Sequence, residues 1–159
     1  MNDAEAPAAL IRIFVDADAC PVKNEVLRVA GRHGLPVLIV SNSWMRLPDD
    51  PLIERVVVPE GPDAADDWIA TRIGPRDICV TADILLAARC LKAGARAIAP
   101  DGKPFRPDSI GMTVAMRDLM AHLRDAGEVR TFNAAFTPAD RSRFLQGLEQ
   151  AVQGIEKER

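Results

Sequence analysis

Apolar residues in this chain form short, β-branched runs that alternate with stretches of helical spacing. Ile11, Ile13, Phe14 and Val15 make the first run, which predicts a buried strand ending at Asp16. Pro21 opens a helical pattern over residues 22–32, with Val22, Val26, Val29 and Ala30 on one face and Gly34 as a stop. Residues 36–40 are continuously apolar, as in an interior parallel strand, and end in Ser41, Asn42 and Ser43. After a turn at Pro48 to Pro51, the pattern predicts a third strand at 53–58 and a helix at 64–72. A fourth strand at 78–81 and a helix at 84–92 follow, then a weak fifth strand at 95–99. The alternation stops there, and helices are expected at 109–124 and at 138–156, the latter carrying Leu145, Leu148, Val152 and Ile155. Repeated β-α units predict an α/β fold with a wound, mostly parallel sheet flanked by helices. Residues 1–10 read as a loose leader and 11–159 as one domain.

Composition narrows the class. Hydrophobic residues make up 48% and charged residues 27% of the chain, ordinary values for a globular protein. The net charge of −3 gives no sign of a nucleic-acid binder as a whole, so any basic surface must be local. Three cysteines without paired spacing point to a reducing compartment, and no apolar run approaches bilayer length. A cytoplasmic protein without a membrane partner is expected.

The acids carry the candidate chemistry. In an open α/β sheet, ligands gather outside the carboxyl ends of the strands. Asp16 and Asp18 follow the first strand, Asp83 follows the fourth, and Asp63, Asp66 and Asp67 begin the helix after the third. If strands one and four are neighbours, Asp16 and Asp83 come within reach of one ion. Carboxylates sharing a cleft repel each other, and a divalent cation relieves that repulsion. His33 and His122 have no partner at ligand spacing, so an all-oxygen site favours Mg²⁺ or Mn²⁺ over zinc. Such an ion can activate water and screen a phosphodiester under attack. Asn42, Ser43 and Thr81 at the same edge, with Lys23, Lys103 and Arg106, are candidate substrate contacts. Trp44 is placed to stack on a base or to fill the core or rim.

Each acid also has a structural reading. Asp18 could cap the first helix and Asp16 stabilise a turn. Asp63 with Asp66 resembles a capping box, Asp67 suits a helix dipole, and Asp83 is a natural N-cap. Asp101-Gly102 reads as a turn. Cys20 fits a partly buried structural thiol. The spacing of Cys90 and Arg96 matches a phosphatase loop, but Cys90 falls late in a predicted helix, so that reading is rejected. No Walker loop and no dinucleotide fingerprint follows a strand.

The segment Phe14-Val15-Asp16-Ala17-Asp18-Ala19-Cys20-Pro21-Val22-Lys23 resembles the signature of the YaiI/YqxD bacterial family. So do Gly61-Pro62-Asp63-Ala64-Ala65-Asp66, Val80-Thr81-Ala82-Asp83-Ile84 and Gly94-Ala95-Arg96-Ala97. The resemblance runs in order from about Arg12 to the helix near Pro138. It departs at Ser109-Ile110, where the family usually shows Asn-Ile. It implies a relationship to PIN-like domains, whose strand-end and helix acids hold Mg²⁺ or Mn²⁺ for RNA cleavage. On that template Asp16, Asp66 and Asp83 match the acid-bearing segments, with Asp18, Asp63 and Asp101 as supplements. PIN domains commonly carry glutamate where Asp66 stands.

The expected function is therefore a metal-dependent ribonuclease, with Asp16, Asp66 and Asp83 as principal ligands, Asp63 as a further one and Asp18 completing the catalytic group. Two other readings stay open. An Asp-x-Asp pair after a strand also suits a haloacid-dehalogenase-like phosphatase with Asp16 as nucleophile. A non-catalytic RNA- or protein-binding module would use the acids structurally.

Overall fold

In the computed structural model, residues 10–61, 63–106 and 136–158 are described. Strand β1 (Ile13–Asp16) leads through one 3₁₀ turn (Ala17–Ala19) to α1 (Lys23–His33). Then come β2 (Val37–Ser41), β3 (Ile53–Val57), α2 (Ala64–Ala70) and β4 (Ile78–Val80). The described chain closes with α3 (Ile84–Lys92), β5 (Arg96–Ile98) and α4 (Pro138–Lys157). The helix expected at 109–124 lies outside the described residues, as do residues 1–9.

The five strands pair in the order β3-β2-β1-β4-β5, all parallel. This is an α/β architecture, and it is consistent with the PIN-like arrangement expected. Strands one and four are indeed neighbours, with Val15 opposite Val80. Because β2 leaves β1 on one side and β4 joins on the other, the direction of winding reverses between β1 and β4. That reversal opens a crevice at the carboxyl ends of these two strands.

Alternation along the strands sorts the core into two layers. Ile13, Val15, Val37, Ile39, Ile78 and Val80 face α1 and α4, where Phe144, Leu148, Val152 and Ile155 are fully buried. Phe14, Val40, Cys79 and Ala97 face α2 and α3, against Ile69, Leu86 and Cys90. The expected apolar face of α4 is thus confirmed, with Phe144 added and Leu145 only partly buried.

Local chemistry sets most boundaries. Gly34 adopts the left-handed conformation (φ 67°) and returns its N–H to Ala30 and Gly31, closing α1. The Thr137–Asp140 capping box starts α4, with Pro138 in its first turn. Helix α1 begins at Lys23, two residues after Pro21, because Val22 is first drawn into the core as the N-cap. Asp101 accepts from the Lys103 N–H at 3.0 Å, the turn expected there. At the tip of that turn Gly102 (φ 90°) lies against the α4 backbone, where a Cβ would meet the Arg143 carbonyl oxygen at 2.3 Å. The described residues contain no helix long and apolar enough to cross a membrane.

Candidate active site in the β1–β4 crevice

Strand periodicity aims the first acid. Phe14 points toward α2 and α3, so Asp16, two residues on, points to the same side. Helix α2 packs over β1 and brings Asp66, while Asp83 heads α3 directly after β4. The 3₁₀ turn carries Asp18 across to β2. A cleft of about 310 Å³ results, lined by Asp16, Asp18, Asp66 and Asp83 together with Cys20, Asn42, Thr81 and Pro100. Among its described lining residues there is no lysine, arginine or histidine.

Hydrogen bonds from the strand ends orient these acids. Register places Thr81 next to Asp16, and the Thr81 hydroxyl donates to Asp16 Oδ2 at 2.8 Å. The same Thr81 oxygen accepts from the Asp83 N–H at 2.9 Å. Asp18 Oδ1 accepts from the Ser41 hydroxyl at 2.6 Å and from the Asn42 N–H at 3.0 Å. Asp83 Oδ1 accepts from Leu85 and Leu86 N–H at 2.8 and 3.4 Å, so this acid also caps α3.

The charge is poorly compensated. Burial pushes the Asp16 carboxyl upward, opposed by the Thr81 hydroxyl and reinforced by the charges of Asp18 and Asp83. Asp66 is pushed further, to about 7, by burial first and then by repulsion from Asp83 and Asp16. Its hydrogen bond with Asp83 and the nearby Asp63 charge add to the shift. Near neutral pH the Asp66 carboxyl therefore keeps its proton in a large share of the molecules.

The donor set fits a hard divalent cation, since it consists of carboxylate oxygens without imidazole. Among the described residues, no three His, Cys, Asp or Glu side chains stand in a ready metal cage. Magnesium does not require one: it keeps several waters and commonly uses one or two carboxylates.

Several sequence expectations change in three dimensions. Thr81, expected to meet substrate, is 2% exposed and holds Asp16 and Asp83 from behind. Asp18 does not cap α1, because its carboxylate is drawn to β2. The Asp63–Asp66 capping box does not form: Asp63 occupies the N-cap position without a side-chain bond, and Asp66 turns into the cleft. Asp63 is exposed and does not line the cleft, although its charge reaches Asp66. Asp67 pairs with Arg89 of α3 at 2.7 Å. Asn42 lines the cleft but Ser43 does not; its N–H is bound to Ser41 Oγ at 3.1 Å. Lys23 Nζ lies 3.5 Å from Met45 Sδ, outside the lining. Lys103 is exposed, and Arg106 lines a separate cavity between β5 and α4. Cys20 lines the cleft as a thiol, since burial pushes its pKa up. Cys90 is buried inside α3, in keeping with rejection of the phosphatase loop. The orienting role of Ser41 was not anticipated, and its only sequence signal was a small hydroxyl at a strand end.

Comparison with known proteins agrees with the sequence motifs. The family described as uncharacterised BCR, YaiI/YqxD family, matches residues 14–154. A UPF0178 protein of Rhodopseudomonas palustris (strain ATCC BAA-98 / CGA009) is 60% identical over 151 residues, covering 95% of this chain and 96% of the relative. One from Parvibaculum lavamentivorans is 59% identical over 148 residues, covering 93% and 97%. One from Bradyrhizobium sp. (strain ORS 278) is 56% identical over 151 residues, covering 95% and 92%. No solved structure matches the chain. With motifs, family match and relatives in agreement, this chain belongs to the YaiI/YqxD family.

Proposed function

We propose that the β1–β4 crevice binds Mg²⁺ or Mn²⁺ and hydrolyses phosphodiester bonds in RNA. The observation that carries this reading is the gathering of four aspartates from three segments around one cleft, with no basic residue among the described lining residues. Burying like charges is unfavourable unless a cation joins them. When bound, the ion supplies Lewis-acid polarisation of the phosphoryl group and an activated water. Asp16 would hold the ion through Oδ1, because Thr81 occupies Oδ2 while Oδ1 takes no hydrogen bond from the described residues. Asp66 or Asp83 would add a second carboxylate oxygen, with water completing the shell. The raised pKa of Asp66, about 7 without a cation, reports the repulsion among these acids that a bound ion would relieve. Asp18 is held by Ser41 and Asn42 and fixes the β2 side of the cleft.

The same geometry weighs against the phosphatase. Its second aspartate would have to serve as acid and base beside Asp16, whereas Asp18 is engaged by two donors from β2 and its following loop. No lysine lines the cleft among the described residues. The test is cleavage of a labelled single-stranded RNA with millimolar Mn²⁺. The native protein is expected to cut internally, Asp16→Asn to lose at least about 100-fold in rate, and chelator to abolish the reaction. A native protein that releases phosphate from monoesters while leaving RNA intact would reverse the choice.

A further inference from the structure

Trp44 is left out of the core although most other large apolar side chains are buried. It is 65% exposed, and the Arg55 guanidinium stacks on its ring at 4.5 Å from the centroid. The loop that carries it is fixed: Arg55 Nε donates to the Met45 carbonyl at 2.9 Å, and Met45 packs against the core. Trp44 is also close to the cleft. Asn42 lines the cleft and holds Asp18, and two further residues of chain span at most about 7 Å. Lys23, Arg46 and Arg55 flank this loop, and no ion pair neutralises them among the described residues. Asp49 and Asp50 line a small cavity with Arg55, but the Asp50 carboxylate is turned onto the Leu52 N–H at 2.8 Å and neither acid pairs with Arg55 within ion-pair distance.

We propose that Trp44, backed by Arg55, is a stacking platform for a base of a single-stranded RNA whose phosphate enters the acidic cleft. This rests on the hydrolase reading and adds the substrate class: an unpaired strand, held by its base beside the scissile phosphate. An exposed indole gives an unpaired base a sequence-tolerant partner, and the adjacent guanidinium attracts the backbone. A base closed inside a duplex cannot reach the ring.

Trp68→Phe leaves Trp44 as the only tryptophan, so its fluorescence reports the platform directly. Titration with a single-stranded oligouridylate in chelating buffer is expected to quench that emission, and a duplex of the same length is not. Trp44→Ala should weaken oligouridylate binding about 10-fold and raise KM equally with kcat unchanged, and Trp44→Phe should restore most of the loss. Binding or cleavage that is indifferent to Trp44→Ala would overturn the platform while leaving the hydrolase. Absence of oligouridylate binding by the native protein would also overturn it. In that case, Mn²⁺-dependent hydrolysis of bis(p-nitrophenyl) phosphate, which needs no base stacking, shows whether the hydrolase reading survives. Emission that changes with protein concentration alone would make Trp44 a contact between copies and overturn the proposal.

Discussion

Thr81 links two of the acids on which the cleft depends. Its hydroxyl donates to Asp16 and accepts from the Asp83 backbone, and the side chain is buried. Thr81→Val keeps the shape and removes both bonds. It should lower stability by about 1–2 kcal/mol in urea unfolding, since the part-buried Asp83 N–H loses its acceptor. Metal affinity should fall about 10-fold, because Asp16 loses the group that orients it. Asp66 makes a prediction of the opposite sign for stability. Its folded pKa, about 7, lies above the ordinary 3.8, so between these values the native state holds a proton that the unfolded chain has released. Stability contributed by this carboxyl is complete below about 4 and is lost as pH rises through about 7. In chelator, Asp66→Asn should therefore melt increasingly above the native protein as pH rises across that window. Added Mn²⁺ should shrink or reverse the difference by stabilising the native protein alone. A gap independent of pH would contradict the raised pKa.

At the scale of elements, the two ends of the sheet have separate duties. The carboxyl end holds the acids, whereas the amino end of β4 is fastened by Asp77. This carboxylate is 3% exposed and accepts from Arg12 Nε at 3.1 Å and Nη2 at 2.7 Å, and from the Gly74 N–H at 2.9 Å. Asp77→Ala strands an arginine that is 42% exposed, so water softens the loss, and a cost of roughly 2–3 kcal/mol is expected by denaturant unfolding. Metal binding in the cleft should survive that substitution under native conditions. The Arg12–Asp77 pair joins residues 65 apart in sequence, and nothing local announces it. Locally written features were easier to read: Gly34 as a helix stop, Asp83 as an N-cap and the apolar stripe of α4 are all realised. The Asp63–Asp66 pattern shows where local reading fails. Its spacing suits a capping box, but the packing of α2 over β1 turns Asp66 toward other acids instead.

For the whole molecule, function follows from where the winding reverses. Alternating strands and helices made the parallel sheet legible from sequence, and the positions of Asp16 and Asp83 at strand ends followed from it. The strand order turned those positions into a shared cleft, because β1 and β4 are neighbours. Register, which one sequence does not state, decided that Thr81 supports Asp16 and that Ser41 holds Asp18. The candidate cations were the least legible part. Exposed lysines and arginines are compatible with many placements, and the fold sends Arg106 to the β5–α4 cavity and Lys23 to Met45.

On the proposed function, a divalent cation completes the four-aspartate cleft. Calorimetric titration with Mn²⁺ tests it most directly, comparing the native chain with the Asp16→Asn/Asp66→Asn double variant. Saturable binding by the native protein and its loss in the double variant are expected, with both folds intact by circular dichroism. No heat from the native protein at millimolar Mn²⁺, or equal binding by the double variant, would contradict it.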